Sequence, residues 1–303
     1  MGINQNDCGT FNLQSGFWAA SAAVSTARAP FDFDGDGKSD VSVFRPSSGT
    51  WFLLRSAAGF LSQQFGISTD LIAPADYDGD GKTDFAVFRP SIGTWYVLNS
   101  SNNAVVSVQF GASGDLPRPG DYDGDGRADI SVFRPASGNW YRLNSSNNQF
   151  VGVQFGASGD IPVLGNFDGD SKSDIAVFRP SNGDWYRLNS SNNQFVAVQF
   201  GASGDIPSVG DFDGDNKTDI SVFRPTSGNW YRLNSSNNQF SGVQFGQSGD
   251  VPAVGDFDGD QKSDISVFRP QIGAWYRLNS SNGQFQSTPW GVSEDQPIPA
   301  AFQ

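Results

Sequence analysis

The stretch Asp121-Tyr122-Asp123-Gly124-Asp125-Gly126-Arg127-Ala128-Asp129 decides the fold, because it recurs. The same nine-residue acidic pattern stands at Asp32–Asp40, Asp76–Asp84, Asp121–Asp129, Asn166–Asp174, Asp211–Asp219 and Asp256–Asp264. Successive copies start 44, 45, 45, 45 and 45 residues apart. A fixed period of that length matches a unit of four short strands, so the chain reads as a repeat array.

Working outward from the loop in residues 117–161, Asp129–Pro135 is a β-branched run stopped by proline. Gly138–Asn144 is a second run, Ser145–Asn148 a polar turn, and Gln149–Phe155 a third run ended by Gly156. Short runs rich in Val, Ile, Phe, Tyr and Trp, punctuated by Gly, Pro and Asn, are strand and turn signals. With the segment before the loop, each unit has four strands. Ile130, Val132 and Phe133 put bulk on both faces of a strand, as do Trp140, Tyr141 and Leu143. A blade packed between two neighbouring blades supplies that environment. The expected fold is therefore an all-β propeller of four-stranded blades, one domain over residues 1–303.

The blade count follows from the chain ends. Displaced by 40, Gly9-Thr10-Phe11 falls on Gly49-Thr50-Trp51, and Phe17-Trp18 stands where an outer strand would be. Displaced by 45, Asp295, Pro297 and Phe302 fall on Asp250, Pro252 and Phe257. Residues 1–26 and 296–303 together read as a shared closing blade, which predicts seven blades. Six blades, with the N-terminal stretch as an addition, is the alternative.

Formal net charge is −13, and the six loops hold 23 of the 32 acidic residues. Six divalent cations would leave a net charge of about −1, so the acidity reads as cation storage rather than as a field for basic partners. The 19 Lys and Arg recur singly, which argues against nucleic acid. The absence of His removes His-based acid/base work, Ser-His and Cys-His pairs and imidazole metal sites. The single Cys, Cys8, excludes an internal disulfide and reads as a small packed residue. No stretch is long and apolar enough to span a membrane as a helix, and residues 1–30 carry no visible signal peptide. No catalytic constellation emerges, so the chain reads as a non-enzyme.

Calcium takes six to eight oxygens at flexible distances. Positions 1, 3 and 5 of each loop supply side-chain oxygens: Asp32, Asp34 and Asp36; Asp76, Asp78 and Asp80; Asp121, Asp123 and Asp125; Asn166, Asp168 and Asp170; Asp211, Asp213 and Asp215; Asp256, Asp258 and Asp260. Position 7 offers a backbone carbonyl, from Lys38, Lys82, Arg127, Lys172, Lys217 and Lys262. Position 9 closes the shell with Asp40, Asp84, Asp129, Asp174, Asp219 and Asp264. Asn166 costs the fourth loop one charge. Position 6 is Gly37, Gly81 and Gly126 in three loops but Ser171, Asn216 and Gln261 in the others. If that position needs a positive φ, the last three loops bind no better than the first three, and the fourth binds worst. Up to six structural Ca²⁺ ions are expected, with dissociation constants on the order of 10⁻⁴ to 10⁻³ M, as in extracellular modules.

The acidic loop, the following Ile-x-Val-Phe run and the distal Phe-Gly (Phe110-Gly111, Phe155-Gly156, Phe200-Gly201) together resemble the FG-GAP/VCBS repeat. That family includes the integrin α-chain propeller and many bacterial surface and secreted proteins. The resemblance covers nearly the whole chain. It implies a propeller whose loop between the first two strands binds Ca²⁺, and an extracellular or cell-surface location. For function it implies only a scaffold.

Other recurring residues carry two readings each. Trp51, Trp95, Trp140, Trp185, Trp230 and Trp275 are either inter-blade core or a sugar-stacking platform. The Tyr that follows in five repeats points to the opposite face. Arg45, Arg89, Arg134, Arg179, Arg224 and Arg269 match in number Asp70, Asp115, Asp160, Asp205, Asp250 and Asp295, which suggests inter-blade ion pairs. The Asn-Ser-Ser turns at Asn99, Asn144, Asn189, Asn234 and Asn279 are either hairpin turns or glycosylation sequons. The leading functional expectation is a calcium-stabilised binding or adhesion module for a surface protein or glycan. The alternatives are a self-assembling subunit of a bacterial surface fibre or layer, and a multivalent lectin.

Overall fold

The computed structural model describes residues 29–300. Within them, 24 strands form six four-stranded antiparallel sheets, the blades of a propeller, and the only helical element is a 3₁₀ turn at Ile298–Ala300. In the third blade the inner strand is Leu116–Pro117, the second Ile130–Arg134, the third Asn139–Leu143 and the outer Phe150–Gln154. Phe133 stands opposite Trp140, and Val132 opposite Tyr141 and Pro117. The same register repeats around the ring.

The described residues form six blades, not the expected seven. Six residues before the first loop the sequence has Thr26, where the later loops have the Asp that leads into an inner strand. Gln296–Pro297 fills that place, pairing with Val41–Arg45 through Val43 opposite Pro297 and Phe44 opposite Gln296. The C-terminal segment is thus consumed in completing the first blade and is not available to a seventh. The proposed N-terminal contribution, residues 1–26, lies outside the described residues.

The core lies between blades rather than within them. Six apolar clusters occupy the six interfaces, the last joining Ala253, Phe268 and Trp275 of the sixth blade to Val41 and Val43 of the first. The six repeated Trp are at most 2 % exposed and pack on the Phe opposite, with ring centroids 5.2–5.7 Å apart. Five of them also donate their indole N–H to the carbonyl of the Phe that directly follows the outer strand, at 2.6–2.9 Å. These Trp are core, and their burial removes the sugar-stacking platform. Trp and the following Tyr fall in different interfaces, as with Trp95 and Tyr96, so they do point to opposite faces.

A closed circle of backbone hydrogen bonds joins the blades on the acidic-loop face. The position-8 N–H of each loop donates to the position-1 carbonyl of the preceding loop: Thr83 to Asp32, Ala128 to Asp76, Ser173 to Asp121, Thr218 to Asn166, Ser263 to Asp211, and Ser39 back to Asp256. The distances are 2.6–2.8 Å.

On the opposite face the six Arg–Asp pairs form, each bidentate: Arg45 with Asp295, Arg89 with Asp70, Arg134 with Asp115, Arg179 with Asp160, Arg224 with Asp205 and Arg269 with Asp250. They tie the connector that enters each blade to that blade's second strand. The Asp side chains are at most 1 % exposed, and each also accepts the N–H three residues before it. Each guanidinium lies 4.4–4.7 Å over the Tyr (Phe52 in the first blade) of the neighbouring strand.

Asp115→Ala removes the carboxylate from the bidentate pair with Arg134 and frees the Ala112 N–H. Removing one partner of such a buried pair costs about 3 kcal/mol, measurable as a lowered urea midpoint. Deleting residues 295–303 exposes the edge of Val41–Arg45 and opens the ring. The expected outcome is loss of a single cooperative melting transition, checked by calorimetry.

Candidate metal centres in the acidic loops

The position-9 carboxylate anchors each loop. All six are fully buried. One oxygen accepts the N–H of position 2 at 2.6–2.9 Å, as Asp84 does from Tyr77. The other accepts the first Ser N–H of the turn between the third and outer strands at 2.6–2.8 Å, as from Ser100. Position 1 folds the loop on itself: Asp76 accepts Gly79 N–H at 2.6 Å and Gly81 N–H at 3.0 Å. Asn166 accepts only the first of these, from Gly169 at 2.8 Å, because an amide nitrogen replaces its second oxygen. Position 6 does need a positive φ: it is 85–93° at Gly37, Gly81 and Gly126, and 65–73° at Ser171, Asn216 and Gln261.

These anchors bring acidic oxygens together. Positions 1, 3 and 5 supply oxygens within 4.8 Å of one another in the first and sixth loops, and positions 1, 3 and 9 do so in the second, third and fifth. The fourth loop, with Asn166, forms no such acidic trio among the described residues. In two loops the donor set is incomplete as it stands: Asp34 Oδ1 and Asp213 Oδ1 are buried with no hydrogen-bond partner. An orphaned carboxylate oxygen facing its neighbours is what a hard cation would satisfy. The residues therefore fit a divalent ion. Position 7 does something further with its side chain: each basic residue lies on the position-4 glycine of the preceding loop, where a Cβ on Gly79 would meet Arg127 at 2.9 Å.

Sequence reasoning missed the serines. The turn read as a hairpin or sequon closes over the acidic loop of its own blade. Ser101 Oγ donates to Asp78 at 2.5 Å and Ser100 Oγ to Asp80 at 2.9 Å. The position-3 contact recurs from Ser146, Ser191, Ser236 and Ser281. The constant offset of 16 residues from position 9 to the first Ser was the available signal. The turn's Asn99, Asn144, Asn189 and Asn279 are 6–8 % exposed, which fits a hairpin turn and not a glycan acceptor.

Burial governs the electrostatics. It pushes Asp40, Asp84 and Asp129 up to about 7, against the backbone hydrogen bonds that favour their charged form. It also raises Asp174, Asp219 and Asp264 at position 9, and Asp32, Asp121, Asp211 and Asp256 at position 1. A nearby cation would reverse that penalty.

The sequence profile described as FG-GAP-like repeat matches residues 32–87, 76–132 and 166–222, together more than half of the chain. None of the curated proteins compared with it matches. Several solved structures share the fold. A catalytically inactive virginiamycin B lyase from Staphylococcus aureus with quinupristin is 9 % identical, with a TM-score of 0.54 over 85 % of this chain and 86 % of that one. BBS1N in a complex with ARL6DN is 11 % identical, with a TM-score of 0.54 over 96 % and 94 %. A nidogen/laminin complex contains a chain that is 11 % identical, with a TM-score of 0.56 over 82 % and 92 %. At such identities the likeness is one of fold.

Without cations the raised carboxylates set a pH dependence. Asp40, Asp84 and Asp129 hold their protons in the folded state up to about pH 7, whereas the unfolded chain releases them near 3.8. Their contribution to stability is complete below the unfolded value and is lost as pH rises through 7. In chelator the melting temperature should fall between pH 5 and pH 8, and scanning calorimetry at stepped pH checks it.

Proposed function

The chain belongs to the FG-GAP-like repeat family, and from that premise we propose that it is a non-catalytic, calcium-stabilised extracellular scaffold that binds a surface protein. The single observation that carries the calcium reading is the acidic loop with its serine turn, in which buried oxygens of Asp34 and Asp213 have no partner. Positions 1, 3, 5 and 9 would hold the ion with side-chain oxygens, and position 7 with its carbonyl. The ion would supply the positive charge that lets these carboxylates stay ionised while buried.

A partner-binding role is supported by the company the fold keeps, since two of the similar structures are complexes with other proteins. A catalytic role finds no support in the residues. The similar lyase is inactivated by replacing one histidine, and this chain has none. A cavity of about 370 Å³ between the inner strands is lined mainly by apolar residues such as Leu71, Ile72, Leu116 and Val251. Its charged members are already engaged: Asp295 with Arg45, and Arg118 with the Pro117 and Pro162 carbonyls at 2.7 and 3.2 Å.

One observation favours self-assembly as a second reading. None of the six outer strands carries a charged residue, and Phe60, Val105, Phe195, Phe240 and Phe285 at their starts are 58–64 % exposed. Charge is a common device by which a free sheet edge avoids pairing with another. Electron micrographs of the calcium-loaded protein separate the two: ordered fibres or sheets favour assembly, and single rings favour a partner-binding module.

At 10 mM calcium and a dissociation constant of about 1 mM, each filled loop adds about 1.4 kcal/mol. The melting temperature should therefore rise well above its value in chelator, by on the order of 10 °C or more for several loops. An unchanged melting temperature in differential scanning calorimetry would remove calcium from the proposal.

A further inference from the structure

Four of the six blades set a third-strand arginine against their own acidic loop, and the first two have none at that place. Arg142, Arg187, Arg232 and Arg277 stand two residues after the buried Trp in the third strands of the third to sixth blades. Each lies over the ring at loop position 2: Tyr122 at 5.1 Å, Phe167 at 5.5 Å, Phe212 at 5.0 Å and Phe257 at 5.2 Å. The N–H of that same residue is the one bonded to the position-9 carboxylate. In the first and second blades the equivalent places hold Leu53 and Val97, buried and neutral.

These guanidiniums are partly buried; Arg142 donates to Asn144 Oδ1 at 3.2 Å and Arg277 to Gln286 Oε1 at 3.0 Å, while Arg187 Nε is buried with no hydrogen-bond partner. Arg187, Arg232 and Arg277 are drawn on by the Asp at positions 9 and 3 of their own loops, while burial opposes their charge.

We propose that Arg142, Arg187, Arg232 and Arg277 are built-in counter-charges that divide the loops into two classes of calcium site, tight in the first two blades and weaker in the other four. This rests on the calcium reading above. A fixed positive charge partly neutralises the acids before any ion arrives and then repels the ion. A unit charge held about 10 Å from a dication changes affinity about fourfold even at the dielectric of water. The basic residue at position 7 cannot make this division, because every loop receives one from the next blade. Nor can glycine at position 6, because the third loop has both Gly126 and Arg142. Glycine would place that loop among the tight sites; Arg142 places it among the weak ones, as does Arg127, which pairs with Asp125 at 2.7 Å.

The test is calorimetric titration of the full chain with calcium at fixed salt. The wild type should show two tight sites and a weaker group, separated by at least about fourfold. The quadruple variant R142L/R187L/R232L/R277L, which installs the residue type the first blade already uses, should tighten the weaker group toward the tight one. The double variant L53R/V97R should abolish the tight class. Arg→Lys at the four positions keeps the charge and should keep the separation. Circular dichroism in chelator confirms that each variant folds. Calcium uptake in one class, or a separation unchanged in the quadruple variant, overturns this inference and leaves the calcium reading standing. No uptake by the wild type sinks both.

Discussion

The circle of amide-to-carbonyl bonds on the acidic-loop face is the constraint on which the rest depends. Each loop gives its position-1 carbonyl to the next blade and takes the preceding blade's carbonyl with its position-8 N–H. Positions 1 and 9 are also the residues whose carboxylates shape the loop, so the geometry that joins blades is the geometry that gathers acidic oxygens. A six-step circle that returns from Ser39 to Asp256 fixes both blade number and loop conformation. Buried backbone groups demand partners, and here the partner always belongs to the adjacent blade.

The two faces of the ring solve the same problem by different means. On the connector face, six buried carboxylates are neutralised within the chain by guanidiniums that also stack on aromatic rings. On the loop face, carboxylates outnumber cations and are held mainly by backbone N–H groups and serine hydroxyls, with an Arg127–Asp125 ion pair at 2.7 Å in the third loop. That difference leaves the loop face with an excess of negative charge that the connector face does not carry. The aromatic core between blades is common to both and holds the spacing against which these polar arrangements form.

Much of this was legible in the sequence because a fixed period repeats the same local chemistry. The four strands per unit and the opposed directions of Trp and Tyr followed from residue type and spacing, whereas the positive φ at position 6 stood only as a condition because Ser171 and Gln261 do not require it. The Arg–Asp pairs were found by matching counts, but their course was misjudged: they brace each blade's own entry segment. The blade count failed for a specific reason. Asp295 and Pro297 were correctly aligned with an inner strand, yet Thr26, where the later loops have the Asp that leads into one, was not set against them. Similarity of Gly9-Thr10-Phe11 to a blade segment then suggested a seventh unit. The serine contacts were hidden because Ser-Ser in a turn is ordinary, and only the third dimension places it over an acid. The arginines of the third strand were hidden in the same way, since alternation places Arg142 on a face but does not say what lies beneath it.

Closure by the last strand has a consequence for synthesis on the ribosome. Arg45 waits for Asp295, 250 residues further along the chain. At about 5–20 residues per second, that is on the order of 12 to 50 s during which the first blade exists with three strands and a bare edge. Each later blade meets its predecessor almost as soon as it is made, so the array grows as an open arc that lengthens one blade at a time. The first blade is thus the earliest of the six to be made and the last to be completed, and the arc becomes a ring only once Gln296–Pro297 has emerged from the exit tunnel.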